Sequence, residues 1–345
     1  LMMFKKAVFS AGFLFLLLCS SAFSDSIIDP VAVGVGARPM ALGRAYVGLA
    51  NDASAVFLNP AGLSSVKSFD FVSMKASLMN EVGYTVLALA VPMEKGHLGL
   101  GFVNSSVQGI PLTRWTDVSG IARPETYGYT DYGSNVLIAS YGGCLGDMFN
   151  NPRLKQISFG ASLKYYLQSF SETSASLEGA SGSGVDLDLG VKFKAAKWLD
   201  MGIVLSNILP VNMGGGFFWK RNGVTENIPA GIRIGSAVKI IGKEAITSSA
   251  TSELVFLMDL ERDVDASTNL LFLHSGIEWK PVKQLALRIG LDQQQSAQSS
   301  GVGTENNITY GVGLNFAPVS FDYAYHGYGS LAENTTHYFS IRYVF

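Results

Sequence analysis

The stretch "VDLDLGVKFK", residues 185–194, alternates apolar and polar or small side chains without a break. Its apolar members are Val185, Leu187, Leu189, Val191 and Phe193. Strict alternation over about ten residues predicts a β-strand with one apolar and one polar face. About ten residues is also the length that a tilted strand needs to cross the hydrocarbon layer of a membrane.

The same alternation recurs in "QISFGASLKYYLQ" (156–168), "GIRIGSAVKI" (231–240) and "NITYGVGLNF" (307–316). Charged residues make up 15% of the chain, against about 25% in a typical soluble domain. The sequence contains no run of 18 or more apolar residues, which a membrane-spanning helix would need. A closed β-barrel is the other structure that satisfies every backbone group in lipid.

Counting the alternating stretches predicts fourteen antiparallel strands. We place them near 68–78, 83–92, 96–105, 131–141, 156–169, 184–194, 199–207, 229–241, 251–261, 270–280, 284–293, 306–316, 318–326 and 336–345. The predicted fold is therefore an all-β, 14-stranded transmembrane β-barrel over residues 67–345.

The connections between these strands alternate in length. Short turns such as "MEK" at 93–95 and "PVK" at 281–283 alternate with longer stretches, above all 106–130 and 208–228. Short turns at one rim and long loops at the other are typical of outer-membrane barrels. The alternative, a soluble β-sandwich, also has alternating strands but gives no reason for loops to be sorted by length.

The two ends of the sequence favour the same location. Residues 1–24 read as a signal peptide, with Lys5 and Lys6 before an apolar stretch and Ala22-Phe23-Ser24 as the cleavage site. The C-terminal stretch "HYFSIRYVF" alternates and ends on the aromatic Phe345. Such a terminal strand is typical of outer-membrane barrels of Gram-negative-type bacteria, where the barrel-insertion machinery reads it. We therefore expect an integral barrel of the cell outer membrane, in contact with outer-membrane lipids.

The sequence contains no pattern that predicts catalysis. The four histidines, His97, His274, His326 and His337, match no metal-binding spacing, and no nucleophile motif of the GxSxG type occurs. The formal net charge of −2 does not indicate a basic surface that would bind nucleic acid. We expect a protein that is not an enzyme, with no metal, no cofactor and no nucleic-acid partner.

Residues 25–66 precede all the predicted strands and contain "ALGRAYVGLANDASAVFLNPAGLSS" (41–65). A barrel of fourteen strands has a lumen too wide for its own side chains to fill. The small residues of this stretch suit close packing against glycines predicted on the inner wall, such as Gly160, Gly190 and Gly290. We predict that residues 25–66 form a small hatch that plugs the lumen, with Arg44 and Asp52 paired to the wall.

This stretch resembles the N-terminal hatch of the FadL-type outer-membrane long-chain fatty-acid transporters, and the chain is also similar to PorV-type barrels and to an uncharacterised treponemal family of that superfamily. The matching residues are Gly43, Arg44, Ala45, Tyr46, Asn51, Asp52, Ala53, Asn59, Pro60 and Ala61. The resemblance implies a fourteen-stranded barrel plugged by the hatch, and uptake of a long-chain fatty acid or a similar hydrophobic ligand.

Aromatic and sulfur-containing residues in the long loops are the candidates for capturing such a ligand, although they could equally anchor the barrel at the membrane interface. With one hatch residue, the candidate ligand-binding set is Trp115, Met213, Phe217, Phe218, Trp219 and Phe57. The leading hypothesis is a channel for long-chain fatty acids or other hydrophobic small molecules, gated by the hatch. We also predict a weak point for sideways exit at the "VNSSV" end of strand 96–105.

Two other functions fit the same sequence. The barrel could act as a secretion or assembly partner for envelope proteins, as PorV-type barrels do, or it could be a structural outer-membrane protein. A simple diffusion porin fits less well, because the hatch would obstruct it.

Overall fold

A computed structural model describes residues 29–78, 81–118, 121–171, 177–264, 270–298, 301–327 and 335–345. The predicted signal peptide lies outside these residues. The described chain forms one sheet of 17 strands, and three of these are short pieces of two to four residues, Gly216–Trp219, Thr225–Glu226 and Thr247–Ser248. The other fourteen are antiparallel to their neighbours and build the barrel wall, which confirms the predicted fold.

The wall strands, numbered in chain order, are β1 Asp70–Leu78, β2 Val82–Met93, β3 Gly96–Val118, β4 Ile121–Cys144, β5 Ile157–Phe170, β6 Ser181–Ala196, β7 Leu199–Ser206, β8 Gly231–Gly242, β9 Glu253–Asp263, β10 Phe272–Val282, β11 Leu285–Gln298, β12 Gly301–Phe316, β13 Val319–His326 and β14 Thr336–Val344. Each strand pairs with the next, and β14 pairs with β1 from Asp70↔Val344 to Ala76↔Tyr338. The barrel is thereby closed, so the sheet has no first or last strand with a free edge along its whole length.

The alternation read from the sequence appears as two faces of the wall. Buried residues of β6, such as Asp186, Asp188 and Gly190, face inward, and Val191 and Phe193 face outward. The outward positions form an exposed apolar belt that includes Leu100, Leu163, Ile203, Ile234, Met258, Ile277, Ile289, Val312, Phe321 and Ile341. Among the described residues, no helix is long and apolar enough to span a membrane.

Two predicted loops are paired strands instead. Residues 106–130 continue as a hairpin, because β3 runs to Val118 and β4 begins at Ile121. Residues 294–305 likewise belong mostly to the ends of β11 and β12. Backbone pairing needs no apolar face once the strands leave the membrane, so the ladder continues through polar sequence that does not alternate in hydrophobicity.

The predicted weak point at "VNSSV", residues 103–107, is a fully paired part of the wall. Val103 to Val107 pair with β2 on one side and with β4 on the other, without a gap. The first register shift in β3 follows Val107.

Residues 29–66, here called the inner segment, precede the wall strands. They contain a 3-10 helix Pro30–Val33, the short helices α1 Ala37–Met40 and α2 Ala55–Leu58, and a second 3-10 helix Pro60–Ser65. Helix α2 ends at Leu58, where the proline at position 60 cannot continue the helix. The inner segment enters β1 at Asp70, so the segment and the wall are one continuous chain.

Candidate functional site in the barrel lumen

The inner segment lies inside the barrel, against the inner face of the wall. Its residues Ala37, Met40, Leu42, Tyr46 and Leu63 are all fully buried. They form one hydrophobic cluster with inward-facing wall residues that include Met74, Tyr84, Val86, Val103 and Val136. Much of the barrel core is therefore made by the contact between this segment and the wall.

Glycines on the inner wall bring the backbone of the segment close. A Cβ atom built at Gly160 would lie 2.3 Å from the carbonyl carbon of Pro60, and one at Gly276 would lie 2.5 Å from the carbonyl oxygen of Leu42. Both distances are too short for any residue with a side chain. Gly142, Gly202 and Gly290 approach the backbone of the segment in the same way, and the wall glycines that lie against its side chains are Gly99, Gly101, Gly190, Gly235 and Gly311.

A left-handed turn at Gly43 and Arg44 starts the motif that the sequence singled out. Gly43 has φ +62° and Arg44 has φ +65°. A Cβ at Gly43 would lie 2.3 Å from the carbonyl oxygen of Leu291 on β11, so only glycine fits. The Gly43 amide donates to the hydroxyl of Thr309 at 3.0 Å. This turn fixes the segment to β11 and β12.

Arg38 is the principal charged link from the inner segment to the wall. Its guanidinium donates to both carboxylate oxygens of Glu278 on β10, each at 2.8 Å. The same group donates to Tyr46, Asn51 and Asp52 within the segment, at 2.9, 2.9 and 3.1 Å. Bidentate, charge-assisted bonds of this kind are the strongest hydrogen bonds in proteins.

The network of ion pairs continues along the inner face of the wall. Glu278 also accepts from Arg288 at 2.8 Å, and Arg288 donates to Asp322 at 2.6 Å. The side chains of Arg38, Glu278 and Arg288 are 12%, 2% and 4% exposed. Each buried charge is thus paired, as burial in a low-dielectric interior requires.

Asp52 was predicted to pair with the wall, but its ion pair among the described residues is with Arg38, at 3.1 Å. Its carboxylate also accepts from the Tyr46 hydroxyl at 2.6 Å and from the Ser54 amide at 3.1 Å. Burial opposes ionisation here. The positive charges of Arg342 and Arg38 outweigh it and hold the pKa of Asp52 below its usual range.

Arg44 lies close to the wall, 3.9 Å from Glu261 on β9 and 3.8 Å from Asp292 on β11. His274 bridges the same two carboxylates, at 2.9 and 2.7 Å. His326 bonds the second oxygen of Asp292 at 2.8 Å. Both histidines are fully buried in the lumen.

Backbone groups of the segment are held as well. Asp259 on β9 accepts from the amides of Tyr46 and Val47 at 2.8 and 3.0 Å. Lys192 on β6 donates to the carbonyls of Leu49 and Ala50 at 2.8 and 2.9 Å. These two wall residues satisfy backbone groups that have left regular structure.

Asn59 explains the last part of the motif. Its side chain donates to the Val47 carbonyl at 2.9 Å and accepts from the Ala61 amide at 3.1 Å. Asn59 thereby joins two distant parts of the segment and caps the 3-10 helix that begins at Pro60. Pro60 fills the space left by the wall glycines Gly142 and Gly160.

The candidate ligand-binding residues lie in several separate places. Phe217 is fully buried and its ring lies 4.9 Å from that of Trp219. Phe218 and Met213 are 46% and 72% exposed. Trp115, 77% exposed, lies on the hairpin of β3 and β4.

Phe57, the sixth candidate, is buried on α2 against Gly101. Of the exposed candidates, Phe218 lines a groove of about 290 Å³, together with Tyr165 and Val185. The C-terminal Phe345 is 81% exposed, and its amide donates to the carbonyl of Phe69 at 2.9 Å.

The long-loop end of the lumen holds a polar cluster that sequence reasoning missed. Lys164 on β5 contacts Asp188 at 2.8 Å, Asn207 at 2.9 Å and Asp29 at 3.9 Å. Tyr166 donates to Asp29 at 3.2 Å. The first residues of the inner segment are therefore held at the long-loop end, and its last residues lead into β1 at the short-turn end.

No protein-family model and no curated protein matches the sequence. Solved structures do match the fold. The monoaromatic hydrocarbon channel CymD superposes with a TM-score of 0.58 and 15% identity, over 91% of this chain and 98% of that one. The toluene transporter TodX of Pseudomonas putida gives 0.53 and 13%, over 90% and 96%. A FadL homologue of Pseudomonas aeruginosa gives 0.51 and 10%, over 90% and 98%. The chain therefore has the fold of the FadL-type and hydrocarbon-channel barrels.

Proposed function

We propose that this protein is an outer-membrane channel for hydrophobic small molecules, and that the inner segment controls passage through it. The observation that carries the proposal is the inner segment itself, packed into the lumen against a ring of wall glycines. Solved structures of the same fold are named as channels for monoaromatic hydrocarbons and for toluene, which supports a hydrophobic ligand. Long-chain fatty acids remain the ligand that the hatch-like sequence favours.

The two sides of the inner segment are held differently, which suggests how it moves. Arg38 and Arg44 attach it by charge to β9, β10 and β11. On the opposite side, Val56 and Phe57 meet Gly99 and Gly101 of β3 through apolar contact. We propose that the apolar side separates first and opens a path that suits an apolar solute, while the charged side stays attached.

A reversible cross-link tests this function directly. A Cβ at Gly99 would lie 2.6 Å from a methyl carbon of Val56, so cysteines at these positions are close enough for a disulfide. The variant is made with Cys144 replaced by Ser, since Cys144 is the free cysteine of the described residues. Proteoliposomes are then assayed for uptake of toluene and of oleate, oxidised and after reduction.

We expect uptake to be lost on oxidation and regained on reduction, and the ligand that is taken up identifies the class. The Cys144→Ser protein without the added pair is the control, and its uptake should not respond to reduction. Uptake that is the same in the oxidised and reduced forms would contradict control by the inner segment. No uptake of either ligand by the control protein would contradict the channel itself.

The hairpin of β3 and β4 favours a second candidate function, partnership with an envelope or secreted protein. Beyond Val107 this hairpin pairs with no other described strand, and Trp115 and Tyr129 on it are 77% and 63% exposed. Exposed aromatic residues are typical of protein–protein interfaces. Stable co-purification of an envelope protein, lost when residues 108–129 are replaced by a short turn, would support this function.

A further inference from the structure

The outward face of β1 differs from the apolar belt of its neighbours. Met74 and Ala76 point into the lumen, at 0% and 5% exposure. The alternate positions Ser73, Lys75 and Ser77 therefore face outward, and Lys75 is exposed. A lysine in this position points at lipid and away from the charged lumen.

The residues paired with β1 define the surroundings of this lysine. Lys75 lies opposite Thr85 on β2 and opposite Phe339 on β14. Ser73 lies opposite Leu87 on β2. Lys75 thus stands among hydroxyl groups on β1 and β2, with an apolar surface on the β14 side.

Lys75 forms no ion pair with any residue that the structure describes. A lysine on the lipid face is unfavourable at the membrane centre, but the cost falls close to the interface. Lys75 is three residues from Leu78, the long-loop end of β1, which is about 10 Å along a strand. A lysine side chain extends its ammonium toward the polar interface while its stem stays on apolar surface.

Aromatic side chains mark the same level of the barrel. The Tyr323 hydroxyl lies 2.8 Å from a ring nitrogen of His337, and the Tyr323 ring lies 5.3 Å from that of Phe339. Phe339 is 60% exposed. Tyrosines whose hydroxyl contacts water and whose ring contacts lipid are typical of the membrane–water interface. This places Lys75 near the lipid headgroups at the long-loop rim.

We propose that Lys75, with Ser77 and Thr85, binds the phosphate of an anionic membrane lipid at this rim. The ammonium supplies the charge that a phosphate requires, and the hydroxyls donate hydrogen bonds to its oxygens. The acyl chains of the lipid lie on Phe339 and Leu87. Charge complementarity decides the occupant, because an unpaired cation on an apolar wall suits an anion with an apolar tail. This site is independent of what passes through the lumen.

Native mass spectrometry tests the site. The protein in an uncharged detergent is titrated with phosphatidylglycerol, or with zwitterionic phosphatidylcholine as a comparison. A single surface lysine near a membrane contributes enough attraction for about a fivefold change in affinity for anionic lipid. We expect Lys75→Leu to lower phosphatidylglycerol binding by that factor, Lys75→Arg to retain it, and phosphatidylcholine binding to change little.

Lys197→Leu is the matched control, because Lys197 is an exposed lysine in the short turn between β6 and β7, at the other rim. Leucine is favourable on a lipid-facing strand, so Lys75→Leu should still fold, and its heat-modifiable mobility on gels verifies this. Equal loss in Lys75→Leu and Lys197→Leu, or no loss in either, would overturn the proposal. A dimer that Lys75→Leu converts to a monomer, with lipid binding unchanged, would show that the surface pairs two copies instead.

Discussion

Replacement of Arg38 by Met should release the inner segment from β10 while leaving the wall intact. The substitution removes the bidentate bonds to Glu278 and the bonds to Tyr46, Asn51 and Asp52. It also leaves the carboxylate of Asp52, 4% exposed, without its ion-pair partner. Breaking one side of a buried ion pair costs about 3–5 kcal/mol. Glu278 keeps Arg288 as a partner, so the lower end of that range is the better expectation.

Hydrogen–deuterium exchange of residues 37–58 measures this cost as a local opening free energy. A loss of about 3 kcal/mol corresponds to exchange faster by roughly 100-fold. Peptides from β5 and β6, which do not contact Arg38, should exchange as in the parent protein.

Arg114→Met is the matched control, because Arg114 and Glu125 form an exposed pair on the hairpin of β3 and β4. Exposed pairs contribute little to stability, so this variant should exchange like the parent protein. Arg38→Lys should give an intermediate result, since lysine keeps the charge and loses the bidentate geometry. Similar protection of residues 37–58 in Arg38→Met and Arg114→Met would refute the assignment of Arg38 as the main link.

Three further outcomes are expected. Gly160→Val should displace the inner segment and raise single-channel conductance, because an added Cβ would lie 2.3 Å from its backbone; Gly133→Val, where nothing lies within 4 Å, should not. Acidification should also raise conductance. The folded pKa of Asp52 is below its unfolded value of about 3.9, so ionised Asp52 stabilises the seated inner segment fully above that pH, and this stabilisation is lost as the pH falls further. Asp52→Asn should therefore reduce the rise in conductance on acidification. An identical rise in the variant and the parent protein would contradict this role of Asp52. Phe217→Ala should lower stability by about 3–5 kcal/mol, as expected for a fully buried ring, whereas Phe218→Ala should have a smaller effect; thermal gel shifts compare the two.

The wall could be predicted from sequence because its physical requirement is local. A strand between lipid and a polar lumen must alternate, as residues 185–194 do, and the predicted strand bounds agree with the observed ones within a few residues except at the long-loop ends of β3, β4, β11 and β12. The requirement ends where lipid ends. The parts of β3 and β4 beyond the membrane, within residues 108–129, therefore carry no such pattern, and their pairing could not be predicted.

The lumen could be predicted only in outline. Arg38 is a single charge in the short stretch "ARPM", and its partner Glu278 lies 240 residues away. The alternation around Glu278 predicts that it faces inward, but not which part of the inner segment it meets. That contact depends on the tilt and stagger of all the strands together. The burial of Phe217 cannot be predicted for a similar reason, because residues 208–228 have the composition of a loop and the short strand Gly216–Trp219 forms only through its pairing with β6.

The contact between β1 and β14 has a consequence for how the protein is assembled. Arg342 on β14 bonds both carboxylate oxygens of Asp70 on β1, at 2.9 and 2.7 Å. One of those oxygens also accepts from the amide of Ala53 in the inner segment, at 3.2 Å. The first strand can meet the last only after the whole chain has been delivered to the membrane. Barrel closure and seating of the inner segment therefore share one side chain, and a barrel that inserts without its plug in place would close with that carboxylate incompletely bonded.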